Sequence, residues 1–120
     1  MASHNDLGIK GEALAKRYLE DLGYQILATN WSDRKFELDL IAIDQNEIVF
    51  VEVKTRSTSF FGKPEEAVTP KKQRHLMNGA DHYIQLHAID LEARFDVIAI
   101  VLNANRKEIK QFKNAFSPSF

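Results

Sequence analysis

The chain contains no cysteine, and that absence excludes disulfides, thiolate nucleophiles and Cys-ligated zinc or iron–sulfur centres together. Proline and glycine are scarce, three and five in 120 residues, too few to mark a linker between domains. No apolar run approaches the ~20 residues that cross a bilayer. The opening segment Met1-Ala2-Ser3-His4-Asn5-Asp6 has neither a basic stretch nor an apolar core, so no signal peptide is expected and a cytoplasmic protein is. Neither sign of charge dominates. Sixteen Lys and Arg stand against seventeen Asp and Glu, a formal charge of −1, whereas a protein that coats nucleic acid usually carries a basic excess.

What is present is ordinary for a globular protein: 44% hydrophobic and 28% charged residues, enough to predict one domain over residues 1–120 that folds without staples. The charge is uneven, however. Between Lys54 and Arg74 six basic residues (Lys54, Arg56, Lys63, Lys71, Lys72 and Arg74) face only Glu65 and Glu66. Such a stretch is either a solvated face or a basic stripe on a neutral protein.

Leu14, Tyr18 and Leu22 recur at i+4 with Ala15 and Leu19 beside them, the apolar stripe of a first helix that Gly23 ends. Tyr24 to Asn30 reads as a strand. Two stronger strands follow, Phe36 to Ile43 and Glu47 to Lys54, joined by a short polar turn that predicts an antiparallel hairpin. Residues 57–69, with Phe60, Phe61, Gly62 and Pro64, read as a loop. Thr69-Pro70 is an N-cap followed by a first-turn proline, and it opens a helix to Leu86 with Leu76, Ala80, Tyr83 and Ile84 buried. Phe95 to Leu102 is a near-continuous apolar strand, and Glu108 to Phe112 a polar edge strand. The order αβββαββ predicts an α/β (α+β) fold with a mixed sheet flanked by helices.

The hairpin carries the chemistry. If its turn is centred between Gln45 and Asn46, paired positions sum to 91, so Asp39 faces Glu52 and Glu37 faces Lys54, all on one side of the sheet. Opposed carboxylates repel. A divalent cation would offset that cost, since Mg²⁺ or Mn²⁺ takes oxygen ligands. Asp39, Glu52 and the Val53 carbonyl could supply them, while Lys54 holds a water or stabilises a phosphorane-like transition state. The same residues also fit a cross-strand ion-pair network. Glu12, near the edge of the first helix's stripe, can lean toward the same point or serve as a helix-dipole partner.

Asp39, twelve residues, then Glu52-Val53-Lys54 resembles the PD-(D/E)xK nuclease motif, and a Glu on the first helix resembles the branch that contains archaeal Holliday junction resolvases. More closely, the chain resembles the bacterial YraN-like family (uncharacterised protein family 0102). The likeness runs through Gly11-Glu12-Ala13, Tyr18-Leu19, Gly23-Tyr24, Asn30-Trp31, Glu37-Leu38-Asp39-Leu40-Ile41 and Val49 to Arg56. It continues through Phe61-Gly62, Glu66-Ala67-Val68, Lys71, Ala80, Tyr83, Arg94-Phe95-Asp96-Val97 and Asn114-Ala115-Phe116. The resemblance implies a restriction-endonuclease-like fold and a Mg²⁺-dependent nuclease acting on DNA, with Glu12, Asp39, Glu52 and Lys54 as its catalytic residues. Branched DNA as substrate and a homodimer as the working form are further expectations. One departure is Phe36, where the family usually has Gly; it is expected to narrow the site entrance or alter the strand's bend.

Lys71, Lys72 and Arg74, with Arg56, are candidates for phosphate contacts, Gln73 for orienting a catalytic group and Glu37 for tuning Lys54. His75 and His82, seven apart, are expected to share a helix face without forming a metal pair. There is no Gly-x-Ser-x-Gly, phosphate loop or dinucleotide fingerprint. Two other classes remain open: a non-cutting nucleic-acid-binding module, and an interaction protein docking through Phe60-Phe61.

Overall fold

The structure is a computed structural model that describes residues 4–58 and 68–117. Phe60, Phe61 and the rest of the predicted loop at 59–67 lie outside the described residues. The elements are α1 (His4–Asp21), β1 (Gln25–Asp33), β2 (Phe36–Asp44), β3 (Glu47–Arg56), α2 (Pro70–Leu86), β4 (Glu92–Asn103) and β5 (Arg106–Phe116), the predicted order. The strands form one five-stranded sheet in sequence order. β1–β2, β2–β3 and β4–β5 pair antiparallel, whereas β3 and β4, joined through α2, pair parallel. This mixed sheet, with one helix on each face, is a restriction-endonuclease-like α/β architecture. No helix among the described residues is long and apolar enough to cross a membrane.

Each helix covers its own core. Ala15 and Leu19 of α1 pack with Tyr24, Leu40, Ala42, Val49, Val51, Ile98 and Ile100. Leu76, Ala80 and Tyr83 of α2 pack with Leu38, Ile41, Ile48, Phe50, Phe95 and Val97. The sheet is thus covered on both sides, which is why its central strands read as apolar runs. Leu22, expected in the stripe of α1, is instead exposed, because the helix stops before it. The stop is a Schellman motif: Tyr24 N–H donates to Leu19 O, Gly23 N–H donates to Glu20 O, and Gly23 takes φ +93°. At the start of α2, Thr69 Oγ1 accepts from Lys72 N–H at 3.2 Å, and Pro70 occupies the first turn.

The predicted hairpin register is observed, with Leu40↔Val51, Ile41↔Phe50 and Asp44↔Glu47 all summing to 91. Every strand extends past its predicted range, β2 and β3 by one or two residues, β1 to Asp33, β4 from Glu92 to Asn103, and β5 from Arg106 to Phe116. The extra length of β4 carries a polar cluster. Arg94, 8% exposed, gives paired hydrogen bonds to Asp96 (2.9 and 3.0 Å) and further ones to Asp44, Glu47 and the Tyr24 hydroxyl. Gln111 and the Asn114 N–H complete the set on Asp96 at 2.9 Å each. Arg94 therefore ties the segment after α1 and the β2–β3 turn to β4, and Asp96 ties β5 to the same strand.

Candidate metal and nucleic-acid site

The hydrogen-bonded ladder between β2 and β3 ends at Leu40↔Val51, one step before Asp39 and Glu52 would pair. Side-chain alternation breaks there too. Leu40 faces α1, yet Leu38, two residues earlier, belongs to the core beneath α2. In β1, Asn30 lies between Thr29↔Leu40 and Trp31↔Leu38, and it takes φ +50°. A left-handed residue in a strand rotates the following side chains, and Asn tolerates it better than most. Beyond Leu40↔Val51 β2 and β3 fork, with Asp39 at the crotch.

Asp39 bridges the fork: its Oδ2 accepts a hydrogen bond from Val53 N–H at 2.9 Å. In an extended strand a residue's N–H and C=O leave toward the same edge, so the Val53 carbonyl is also released from β2 at this edge. Glu52 is 7% exposed and shares a cavity of about 10 Å³, room for one water, with Asp39 and the apolar side chains of Phe50, Leu76, Phe95 and Phe116. Burial pushes the Glu52 carboxyl up to about 8; the Asp39 carboxylate adds to this by hydrogen bonding and by charge, while Lys72 and Lys54 oppose it. The predicted confrontation of Asp39 with Glu52 is therefore present.

Glu12 reaches the fork from the α1 side. Its carboxyl is raised by burial and by the Asp39 charge, against a lowering hydrogen bond with Asn30. Glu12, Asn30, Val53, Lys54 and Thr55 line a cleft of about 390 Å³ together with Gly8 and Ile9. Gly11 sets how closely α1 approaches. A Cβ at that position would fall inside the Thr55 side chain, 2.8 Å from its Cβ, so only glycine lets the helix seat on β3 there. Gly8, Ile9, Asn30 and Thr55 were not among the residues singled out as a site. The sequence signals for them are Asn30 itself, a residue type that tolerates the left-handed region, and Gly11 next to Glu12, which brings α1 down on Thr55.

The expectation that three acids and Lys54 share one face of the sheet is corrected. Glu52 looks toward α2, Glu12 comes from α1, and the break at Asp39 lets that residue touch both sides. Among the described residues no three His, Asp or Glu side chains converge as a metal-binding group. The acids meet as the pair Asp39–Glu52, with Glu12 across the cleft. Glu37 is exposed and makes no ion pair with Lys54, because the ladder that would have opposed them ends earlier. The Gln73 side chain is engaged with the Val68 carbonyl at 2.9 Å, at the entry to α2. Arg56, Lys71 and Arg74 are exposed, and Lys72 is half-buried near Glu52. Phe36 lines neither the cleft nor the small cavity; it packs on α2 between His75 and His82, which do share a face.

The donor set suits a small hard cation. Two carboxylates, one buried and destabilised as an anion by the other, stand with a freed backbone carbonyl and space for about one water-sized ligand. Removing the proton from Glu52 leaves two adjacent negative charges, which a divalent ion would balance.

Comparison with known sequences gives one family model, the Uncharacterised protein family UPF0102, matching residues 11–100. Among similar proteins, a UPF0102 protein of Porphyromonas gingivalis is 48% identical over 118 residues, covering 97% of this chain and 87% of that one. A UPF0102 protein of Bacteroides thetaiotaomicron is 46% identical over 118 residues, covering 98% of each. The UPF0102 protein FP2501 of Flavobacterium psychrophilum is 45% identical over 116 residues, covering 97% of this chain and 98% of that one. These names give the family and no reaction.

Proposed function

The chain belongs to the uncharacterised protein family UPF0102, and from the geometry of the fork we propose that it is a metal-dependent endonuclease that hydrolyses phosphodiester bonds in DNA. The observation that carries this reading is Glu52, a nearly buried carboxyl held against Asp39 in a core otherwise made of apolar side chains. A structural acid in that position would be better replaced by an apolar residue. Two acids so placed make sense where a cation is to be bound.

In this reading Asp39, Glu52 and the Val53 carbonyl hold Mg²⁺ or Mn²⁺. The bound ion supplies an acidified water and takes up negative charge on the phosphate. Lys54, on the cleft wall one residue beyond Val53, holds the attacking water or the developing charge. Glu12, hydrogen-bonded by Asn30, orients water on the opposite wall. Lys72 neutralises the mouth of the site, and Arg56, Lys71 and Arg74 give exposed cations for backbone phosphates. DNA as substrate goes with action in the cytoplasm. A branched substrate has two strands to cut and would call for two copies of the site, hence a homodimer.

The direct test incubates purified protein and Mn²⁺ or Mg²⁺ with branched, single-stranded and supercoiled DNA. Cleavage that disappears in Glu52→Ala supports the reading. A chain that cuts nothing, or a variant that cuts as well, removes it. The tightness of the cavity at Glu52 favours one second reading, a nucleic-acid-binding module that does not cut. It predicts salt-sensitive binding that survives Asp39→Ala.

A further inference from the structure

Lys72, His75, Gly79 and His82 follow one another along α2 at i+3, i+4 and i+3, and so form one stripe facing the start of β2. Phe36 lies against the gap in that stripe. A Cβ at Gly79 would sit 3.5 Å from Phe36 Cβ and 3.4 Å from Leu38 Cδ2. The Phe36 ring is flanked by both imidazoles, 5.8 Å from His75 and 5.3 Å from His82, with planes tilted by only 38° and 32°. His82 is held by its 2.7 Å contact with Asp33, and its ring also meets Trp31, 6.1 Å between centroids. All three rings are half-buried.

The exposed Lys35 places its ammonium 5.7 Å from the Phe36 centroid, over the ring. That face of Phe36 is covered by the exposed Lys35 side chain alone, and a base takes it when the ammonium turns from the ring to a phosphate. Phe36 precedes Asp39 by three residues on β2, about 10 Å at the rise of a strand. Lys72 stands at the other end of the stripe, close enough to act on Glu52. Aromatic faces beside cations, running away from a phosphate site, are how proteins hold unpaired nucleotides. A base in continuous duplex has both faces occupied by its neighbours and cannot stack on such a shelf.

We propose that Phe36, His75 and His82 form a stacking shelf for an unpaired nucleotide beside the site, so that the substrate is DNA with single-stranded character, such as a flap, gap or fork. This rests on the reading of the fork as a DNA site but is tested by binding rather than cutting. The experiment measures fluorescence anisotropy of labelled oligo-dT, flapped duplex and blunt duplex with the full chain in EDTA. Phe36→Leu keeps apolar volume against Gly79 and Leu38 but has no ring; Phe36→Tyr keeps the ring. The wild type should prefer the DNAs with unpaired bases. Phe36→Leu should weaken those complexes at least about fivefold and leave blunt duplex unchanged, with Phe36→Tyr near wild type.

Equal loss on blunt duplex, no loss on flapped DNA, or a wild-type preference for blunt duplex overturns the shelf. A thermal melt confirms that Phe36→Leu is folded, and His75→Ala, with β2 untouched, should show the same selective loss. If no DNA is cut but the selective loss appears, the cleavage reading fails and the shelf stands. If cleavage needs Glu52 but Phe36→Leu binds as wild type, the reverse holds.

Discussion

Gly11 of α1 rests directly on Thr55 of β3, with no room between them for a methyl group. The next residue on the helix is Glu12, and the one before Thr55 is Lys54, so this contact sets the width of the cleft. Gly11→Ala should cost about 1–3 kcal/mol in chemical denaturation, as overpacking does, and should weaken any metal-dependent cleavage by displacing Glu12. The double variant Gly11→Ala/Thr55→Gly, which removes the obstruction, should recover part of both. A fully additive double-mutant cycle would show that the contact is not what separates the two walls.

Glu52 gives a pH dependence with a definite sign. Its carboxyl is raised from 4.5 to about 8 in the fold, first by burial and then by Asp39. The folded value lies above the unfolded one, so the stability linked to its proton is fully present below about 4.5 and is lost as pH rises through about 8. Glu52→Gln stays neutral. In EDTA it should match the wild type near the acid end of that window and exceed it above the upper end, by on the order of 2–4 kcal/mol. Denaturation midpoints of both proteins across this range decide it, and a constant difference would refute the assignment.

Cation binding should appear as stabilisation independent of turnover. Increasing Mn²⁺ should raise the melting temperature of the wild type by mass action. Asp39→Asn and Glu52→Gln should lose that rise, because each removes a carboxylate ligand. Lys54→Ala should keep it while losing cleavage, since an ammonium does not ligate a cation. A Lys54→Ala protein that neither binds Mn²⁺ nor cuts would return Lys54 to a purely structural part.

Arg94 and Asp96 form the other charged centre. Asp96 is fully buried and receives two bonds from Arg94. Arg94→Met strands that carboxylate and should cost about 3–5 kcal/mol by urea denaturation. Asp44 is held below its usual 3.8 chiefly by its hydrogen bond from Arg94. Its folded value is depressed, so its contribution is present above about 3.8 and lost as pH falls through the lower folded value. Asp44→Asn should therefore flatten the acid limb of the stability curve, and an unchanged limb would place the acid sensitivity elsewhere.

The features legible in the sequence are the local ones. The 91-sum register follows from a two-residue turn, and the Schellman stop at Gly23 and the Thr69 cap follow from residues within a turn of each other. Asp39 and Glu52 were readable because the register brings them together. The split of the acids between two faces was not, because it goes with a break in side-chain alternation at Asp39 that a strand period of two does not foretell. Nor was the Arg94 cluster, whose partners Asp44, Tyr24 and Gln111 are distant in sequence; an R-x-D pair in an apolar strand was its only trace. Phe36 was expected at the site entrance, but Gly79 opens a seat for it on α2.

β3 is fastened on one flank and unlatched on the other. Glu52, Val53 and Lys54 remain in register with Val97, Ile98 and Ala99 of β4 after β2 has parted from them. A catalytic loop would have to trade rigidity for access to polar main-chain atoms. Here a single strand supplies both, so the aim of Lys54 depends on the packing of β4, and a cavity made at Ile98 should disturb the site without touching any residue in it.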